Sequence, residues 1–161
     1  MKYRRLNEAE LKDLEQDFIR FLASNQVTAD DWKKLKNSKS DQVDGLIGLF
    51  SDQVFDKVFD KLEYLEYKTV NDRKTFHCQK EKIVMMGLFV EGNTQINFAQ
   101  NQSAEEIMQT VKASGSAVKI YTAEKTYKGE RNQELFKMME NGCLISKDGS
   151  LYKTLFSLKG Q

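Results

Sequence analysis

The stretch IVMMGLFV, residues 83–90, contains no charged residue and no side chain that forms strong hydrogen bonds. A strand with one face in water alternates apolar and polar residues, whereas this run is apolar throughout. We therefore predict a buried strand in the middle of a sheet, with apolar cover on both of its faces. The rest of the chain has to supply that cover.

The composition is that of an ordinary globular protein. The chain has 161 residues, enough for one domain to bury roughly 70% of the surface that its unfolded form exposes. Its 25 basic and 24 acidic residues give a formal charge of +1, so nothing global indicates a nucleic acid or a membrane as partner. It has no proline and no linker-like tract. We predict a single domain over 1–161, with a helical part, 1–62, and a sheet part, 63–161.

Sequence signals of compartment favour the cytoplasm. The longest apolar run is far shorter than the about 18 residues that a membrane span needs. The basic start, residues 1–6, leads straight into a charged helical pattern, so we expect no signal peptide. Cys78 and Cys143 have no metal-ligand spacing, and we interpret both as reduced, buried thiols. We expect no metal and no cofactor.

Helix-start signals organise residues 8–62. Asn7 and Glu10 have the spacing of a capping box, and Thr28 begins a second helix in the same way. A long, broadly apolar pattern follows, in which Ser51 is interpreted as a new N-cap that divides it. The predicted helices are 8–24, 28–36, 41–50 and 52–61.

Strand patterns dominate the remaining residues. Short β-branched and aromatic runs separated by turn residues predict an antiparallel meander, and Asp148-Gly149 predicts the turn of a terminal hairpin. The predicted elements are strands 64–69, 75–78, 83–90 and 95–98, a helix from Ser103 to Gly115, a strand 118–122, a helix from about Glu130 to Gly142, and hairpin strands 143–146 and 151–158.

This order of elements predicts an α+β fold. N-terminal helices pack on a mainly antiparallel sheet, and two further helices and a C-terminal β-hairpin complete it. The N-terminal helices can cover one face of the sheet, and the later helices the other face or an edge.

Ten short stretches form an ordered set along nearly the whole chain: 1–6, 21–23, 28–32, 50–52, 64–66, 125–127, 131–132, 134–142, Ile145 and 151–152. This set resembles an uncharacterised bacterial family, a domain of unknown function. One departure is Phe55, where the family pattern favours tryptophan, an exchange that keeps a bulky apolar group. The resemblance implies a small stand-alone bacterial protein and no known activity.

Three residue patterns are interpreted as structural. Asp52, Asp56 and Asp60 recur every four residues, which favours a solvated helix face over a metal site, because neighbouring lysines follow two of them. His77 and Cys78 are neighbours on a strand, so their side chains point to opposite faces and cannot act as a base and its nucleophile. No nucleotide-binding glycine motif is present, and we assign no catalytic residue.

Trp32 stands beside Lys33, Lys34 and Lys36, which could form an aromatic and basic contact patch for a nucleic acid strand. Its position opposite Val27 at a helix start already accounts for the tryptophan. We interpret it as core or boundary packing.

The polar segment 125–132 is the strongest candidate binding surface. It combines cations, an aromatic hydroxyl and a glycine just before a helix N-terminus, where an anion can bind. The structural alternative is a polar loop in which Arg131 and Asn132 form local caps or a salt bridge to Glu130 or Glu134. The candidate ligand-binding residues are Lys125, Tyr127, Lys128, Arg131 and Asn132.

Two functions follow as hypotheses. The first is a small cytosolic, non-catalytic interaction or regulatory protein with a protein partner or self-association, since no catalytic constellation is visible. The alternative is a binding module for a nucleotide, RNA or another phosphorylated ligand through residues 125–132. An enzyme would need carboxylates or His77 brought together by the fold.

Overall fold

The computed structural model describes residues 1–38, 41–91, 95–115 and 117–159. The chain separates into two compact units, Met1–Asp60 and Lys61–Gln161. This division falls close to the expected boundary between the helical and sheet parts, and the single domain over 1–161 stays a prediction. Within the described residues, no helix is both long and apolar enough to cross a membrane.

The first unit is helical, as predicted. Asn7 and Glu10 form the expected capping box, and Thr28 forms a second one with Asp31. Leu14 interrupts the first predicted helix, with φ −105° and ψ 22°. The helices are α1 (Glu8–Asp13), α2 (Glu15–Ser24), α3 (Ala29–Asn37) and α4 (Asp41–Lys61).

The predicted break at Ser51 is wrong, because α4 is one continuous helix of 21 residues. The Ser51 hydroxyl donates to the carbonyl of Ile47, 2.7 Å away, and accepts the N–H of Leu6 at 3.0 Å. A serine that bonds back to the preceding turn leaves its own N–H free for the helix. Ser51 therefore anchors the segment before α1 and does not cap a new helix.

The core of the first unit is aromatic. Phe18 lies between the rings of Phe50, at a centroid distance of 4.9 Å, and Trp32, at 5.1 Å and nearly perpendicular. Trp32 is partly buried against this cluster, which confirms its assignment to core or boundary packing. The other buried members of the cluster are Leu6, Phe21, Leu22, Val27, Leu46 and Ile47.

The second unit contains a five-stranded antiparallel sheet in the order β4-β3-β2-β1-β5. Residues 83–90 lie in β3, which pairs with β2 on one side and β4 on the other, so the predicted interior strand is confirmed. The strands are β1 (Tyr64–Lys68), β2 (Asp72–Cys78), β3 (Lys82–Val90), β4 (Val118–Thr126) and β5 (Leu144–Ser146).

Helices cover both faces of this sheet. Met86 and Leu88 of β3 are buried with residues of α5 (Ala104–Ser114) and α7 (Ser150–Lys159). Met85 has the opposite orientation on the strand and lines a cleft with Met138 of α6 (Arg131–Glu140). The α+β class is therefore confirmed, with α5 and α7 on one face and α6 on the other.

The predicted strand 95–98 is wrong, and β4 takes its place in the sheet. Ile96 and Phe98 are buried in the core as part of an irregular segment. The N–H of Phe98 donates to the Val70 carbonyl at 2.9 Å, and its own carbonyl accepts from Arg73 at 3.2 Å. Both buried residues are apolar and stand two positions apart, which is also the spacing expected of a strand. Gly92 and Asn93, which the sequence predicts as the turn between strands 83–90 and 95–98, lie outside the described residues.

The predicted C-terminal hairpin is also wrong, because only its first strand exists, as β5, and the second is helix α7. The Asp148 carboxylate accepts the N–H of Ser150 at 3.1 Å, so this residue begins a helix where a hairpin turn was expected. The buried residues Leu151, Tyr152 and Leu155 have helical spacing.

Replacing Gly149 with alanine is expected to lower the free energy of unfolding by about 2 kcal/mol, because the position has φ +63° and a Cβ there would lie 2.5 Å from the Tyr64 ring. Gly115→Ala is the matched control, with φ +65° and nothing near its Cβ. It should lose about 1 kcal/mol from backbone strain alone. Urea denaturation of both variants measures the difference, and equal losses would contradict the contact with Tyr64.

Candidate functional site

The structure places the five predicted site residues around the start of α6. Lys125 lies in β4, Tyr127 and Lys128 lie in the connection that follows, and Arg131 and Asn132 form the first turn of the helix. The segment therefore forms one local structure, as the sequence indicated. Its side chains divide into two groups with different surroundings.

The guanidinium group of Arg131 is used inside the protein. It donates to the backbone carbonyls of Leu62 at 2.6 Å, Cys78 at 3.0 Å and Gln79 at 3.1 Å. It also donates to the side-chain oxygen of Asn132 at 2.9 Å. Arg131 thereby ties the start of α6 to the end of β2 and to the segment before β1, which is a structural role.

Tyr127 and Asn132 belong to the same internal network. The Tyr127 hydroxyl donates to the Gln79 carbonyl at 2.7 Å, and burial raises its pKa to about 12. Asn132 is buried and accepts from Arg131. Both side chains fix the loop and give an incoming ligand little to contact.

The carboxylate of Glu134 occupies the position at which an anion was expected. One of its oxygens accepts the backbone N–H of Lys128 and, at 3.3 Å, the N–H of Gly129. The chain therefore satisfies the amides before α6 with its own carboxylate. The structural alternative expected from the sequence placed Arg131 or Asn132 in this capping role, whereas Glu134 performs it.

The second oxygen of Glu134 lacks a hydrogen-bond partner among the described residues, although it is buried. The nearest cation is the ammonium group of Lys125, 3.9 Å away and mostly exposed. A buried acceptor without a donor is uncommon and marks a position where water or a ligand N–H can bind.

Two adjoining clefts lie beside this carboxylate, and together we name them the α6 groove. The first, of about 440 Å³, is lined by the three lysines Lys125, Lys128 and Lys137 and by the two acids Glu130 and Glu134. The second, of about 220 Å³, is apolar and is formed mainly by Phe76, Ile83, Met85, Ala123 and Met138. Lys125 and Met138 line both clefts, which makes the groove continuous.

The lysines of the α6 groove differ in their partners. Lys125 lies near Glu134, whereas Lys128 and Lys137 are exposed and form no ion pair with the described residues. Of the five predicted residues, only Lys125 and Lys128 line the groove. Sequence reasoning missed Lys137 and Met138, although both share a face of α6 with Glu134 at spacings of three and four residues.

His77 and Cys78 lie on opposite faces of the sheet, as predicted. His77 stacks on Tyr64 at a centroid distance of 4.8 Å, and burial lowers its pKa. Burial raises the pKa of the Cys78 thiol to about 12, so the thiolate is scarce at neutral pH. Both cysteines are free and buried, as predicted.

Of the three carboxylates expected on a solvated face of α4, Asp60 is exposed, whereas Asp52 and Asp56 are only partly exposed and bind the start of the chain. The Asp52 carboxylate accepts the backbone N–H groups of Lys2 and Tyr3, at 2.9 and 3.3 Å, and Asp56 accepts the Tyr3 hydroxyl. They hold the start of the chain within its own unit. Within the part of the chain that the structure describes, no three potential metal ligands come together.

Comparison with known proteins gives one result. The sequence profile described as "Family of unknown function (DUF6495)" matches residues 1–160. Searches of curated proteins and of solved structures give no match.

Proposed function

Because the chain belongs to the DUF6495 family, whose function is unknown, we propose a function from the α6 groove. The protein is a non-catalytic interaction protein, and its partner is another protein that presents an acidic segment with one apolar side chain. The observation that carries this proposal is the continuity of an apolar cleft with a lysine-lined cleft through Lys125 and Met138.

The apolar cleft is small, with a volume of about 220 Å³. The apolar cleft alone is below the volume of an ordinary small-molecule pocket, about 300–1,000 Å³, whereas the lysine cleft that continues it lies within that range. Interfaces derive most of their affinity from a few apolar or aromatic anchors that fill such cavities. A leucine or phenylalanine of the partner would bind here.

The lysine cleft supplies charge complementarity. Lys128 and Lys137 are exposed on the rim, where opposite charges accelerate association and select among partners. The adjoining amides are capped by Glu134, so a tightly held phosphate is less favoured than a carboxylate on the rim. Acidic side chains next to the apolar anchor suit this arrangement.

Binding of a nucleotide, RNA or another phosphorylated ligand through residues 125–132 is the competing proposal. The cluster of Lys125 and Lys128 supports it, while the internal bonds of Arg131 remove its strongest phosphate donor. The proposed setting for either function is the bacterial cytoplasm, which the two free thiols support.

The test is capture of partners from the native extract with the tagged full-length chain at low and high salt. The Lys128→Glu/Lys137→Glu double variant is compared with Lys112→Glu/Lys147→Glu, which changes the same number of exposed lysines elsewhere in the unit. A captured protein is then purified, and its affinity for each variant is measured by calorimetry. We expect about tenfold or greater weakening by the first pair alone.

The outcomes separate the proposals. A captured protein that the groove variant weakens and the control variant does not supports the interaction function, and high salt should weaken it only in part, because salt screens the rim lysines and not the apolar anchor. Recovery of nucleic acid or a phosphorylated ligand that salt releases would replace it with the competing function, because phosphate contacts depend steeply on salt. Equal binding by both double variants would exclude the α6 groove as the contact surface.

A further inference from the structure

We infer that the partner segment binds as an additional strand on the outer edge of β4, next to the α6 groove. This inference rests on the proposed function and specifies its mode of recognition. An extended peptide that joins a sheet edge gains affinity from backbone hydrogen bonds and specificity from pockets for alternate side chains. The edge of β4 and the α6 groove supply both.

The outer edge of β4 is available for pairing. Among the described residues, β4 pairs with β3 alone, and it is a long strand, Val118–Thr126. Most of its residues are exposed. An unpaired edge of this length presents a row of N–H and C=O groups to any extended chain that approaches.

The hydrogen-bond pattern identifies the outward groups. At the two ends of the ladder, Glu91 N–H donates to the Ala117 carbonyl and Tyr127 N–H donates to the Glu81 carbonyl. Antiparallel pairs alternate, so odd-numbered residues of β4 bond to β3 and even-numbered residues point outward. The Ile120 carbonyl already accepts from Lys159 at 3.3 Å. Within the described part of the chain, the outward groups of Thr122, Glu124 and Thr126 bond to no other backbone group and remain for a partner.

These outward groups lie beside the α6 groove. Ala123 and Lys125 face the α6 side of the sheet, because they stand opposite Met85 and Ile83 of β3. In a paired strand, the residue opposite Ala123 would extend its side chain over the apolar cleft. The residue two positions along would stand opposite Lys125 and within reach of the lysine cleft.

The expected partner sequence follows from these positions. It has an apolar residue and an acidic residue two positions apart, on the α6 side of the sheet. The residue between them faces the other side, next to Glu124, which pairs with Lys82 at 3.3 Å, so a second acid there is disfavoured. The partner is thus an extended segment with alternating chemistry.

The opposite edge of the sheet is less suited to this role. β5 has only three residues, and two of them, Leu144 and Ile145, are exposed. A strand this short offers few backbone bonds to an added strand. At β4, by contrast, a long unpaired edge lies next to both the apolar cleft and the lysine cleft.

The test uses nonapeptides selected from a random displayed library against the full-length chain. Amide exchange is measured by NMR for the free chain and with saturating peptide. We expect the amides of Thr122, Glu124 and Thr126 to exchange rapidly in the free chain and to slow at least tenfold with peptide. The amides of Ala123 and Lys125, which already bond to β3, should change much less.

A variant addresses the backbone directly. Glu124→Pro removes one outward N–H while keeping the ladder to β3, since proline is tolerated where an edge N–H faces outward. Its reference is Glu124→Ala, which loses the same carboxylate and keeps the N–H. We expect peptide affinity about tenfold lower for the proline variant than for the alanine variant. If Glu124→Pro does not fold, N-methylation of successive peptide amides replaces it, with loss of binding expected at alternate positions.

Each result is decisive. Protection of the even-numbered amides together with the proline effect supports strand addition. Peptides that are weakened by Lys128→Glu/Lys137→Glu but leave the β4 amides unprotected overturn strand addition and leave the proposed function standing. Peptides indifferent to those lysines and to β4 overturn both.

Discussion

Replacing Phe98 with alanine is expected to lower the free energy of unfolding of the Lys61–Gln161 unit by about 3–5 kcal/mol. The ring is fully buried in the cluster formed by β3, α5 and α7, so its removal leaves a cavity as well as lost apolar burial. Urea denaturation followed by circular dichroism measures the change.

Phe156→Ala is the matched control, because it removes the same ring from the outer face of α7, where the residue is 58% exposed. It should change the free energy of unfolding by less than about 1 kcal/mol. The two variants also test the assignment of α7, because Phe156 points outward only if residues 150–159 form a helix. Similar losses for both variants would contradict the position assigned to Phe98 or that assigned to α7.

Arg131→Ala is expected to destabilise the same unit by about 3–4 kcal/mol. The change removes the donor shared by three backbone carbonyls and Asn132, and buried acceptors without donors are unfavourable. Arg131→Lys should recover only part of the loss, because an ammonium group cannot match the fork geometry of a guanidinium group.

The control for this prediction is Arg20→Ala. Arg20 is exposed, and its ion pair among the described residues is the local one with Asp17, so its loss should change the free energy of unfolding by less than about 0.5 kcal/mol. A stable Arg131→Ala variant with reduced ligand binding would contradict the structural role and return Arg131 to the binding surface.

The elements that the sequence predicts correctly are those with local physical causes. The capping side chains of Asn7, Thr28 and Ser103 define three helix starts, and each accepts the expected backbone N–H. The uncharged run 83–90 forms an interior strand, as expected for a segment that is apolar on both faces. In these cases the residues that predict the element are the same residues that form its stabilising contacts.

The errors arise where short apolar spacing fits more than one structure. Residues 95–98 alternate like a strand, yet Phe98 is buried by the long-range bonds to Val70 and Arg73. Residues 151–158 follow a turn-like Asp148-Gly149 pair that begins a helix instead. The residues of each segment alone do not decide between a strand and the structure observed, because that depends on tertiary packing.

The charges in the sequence located the candidate segment, but they did not predict what each of its side chains contacts. Segment 125–132 does border the groove, and the sequence identified two of its lysines, Lys125 and Lys128. The role of Arg131 depends on carbonyls contributed by Leu62, Cys78 and Gln79, which only the fold brings to it. The apolar cleft combines β2, β3, β4 and α6, so no local pattern encodes it.

The reactivity of the two buried thiols can measure local opening near α6. The Cys78 carbonyl accepts from Arg131, and the Cys143 N–H donates to Met138, so each cysteine is tied to that helix. Burial raises the pKa of both thiols, and both are inaccessible in the closed fold. Their reaction with an alkylating reagent therefore requires a local opening around the two cysteines, and the rate of alkylation reports how often that opening occurs.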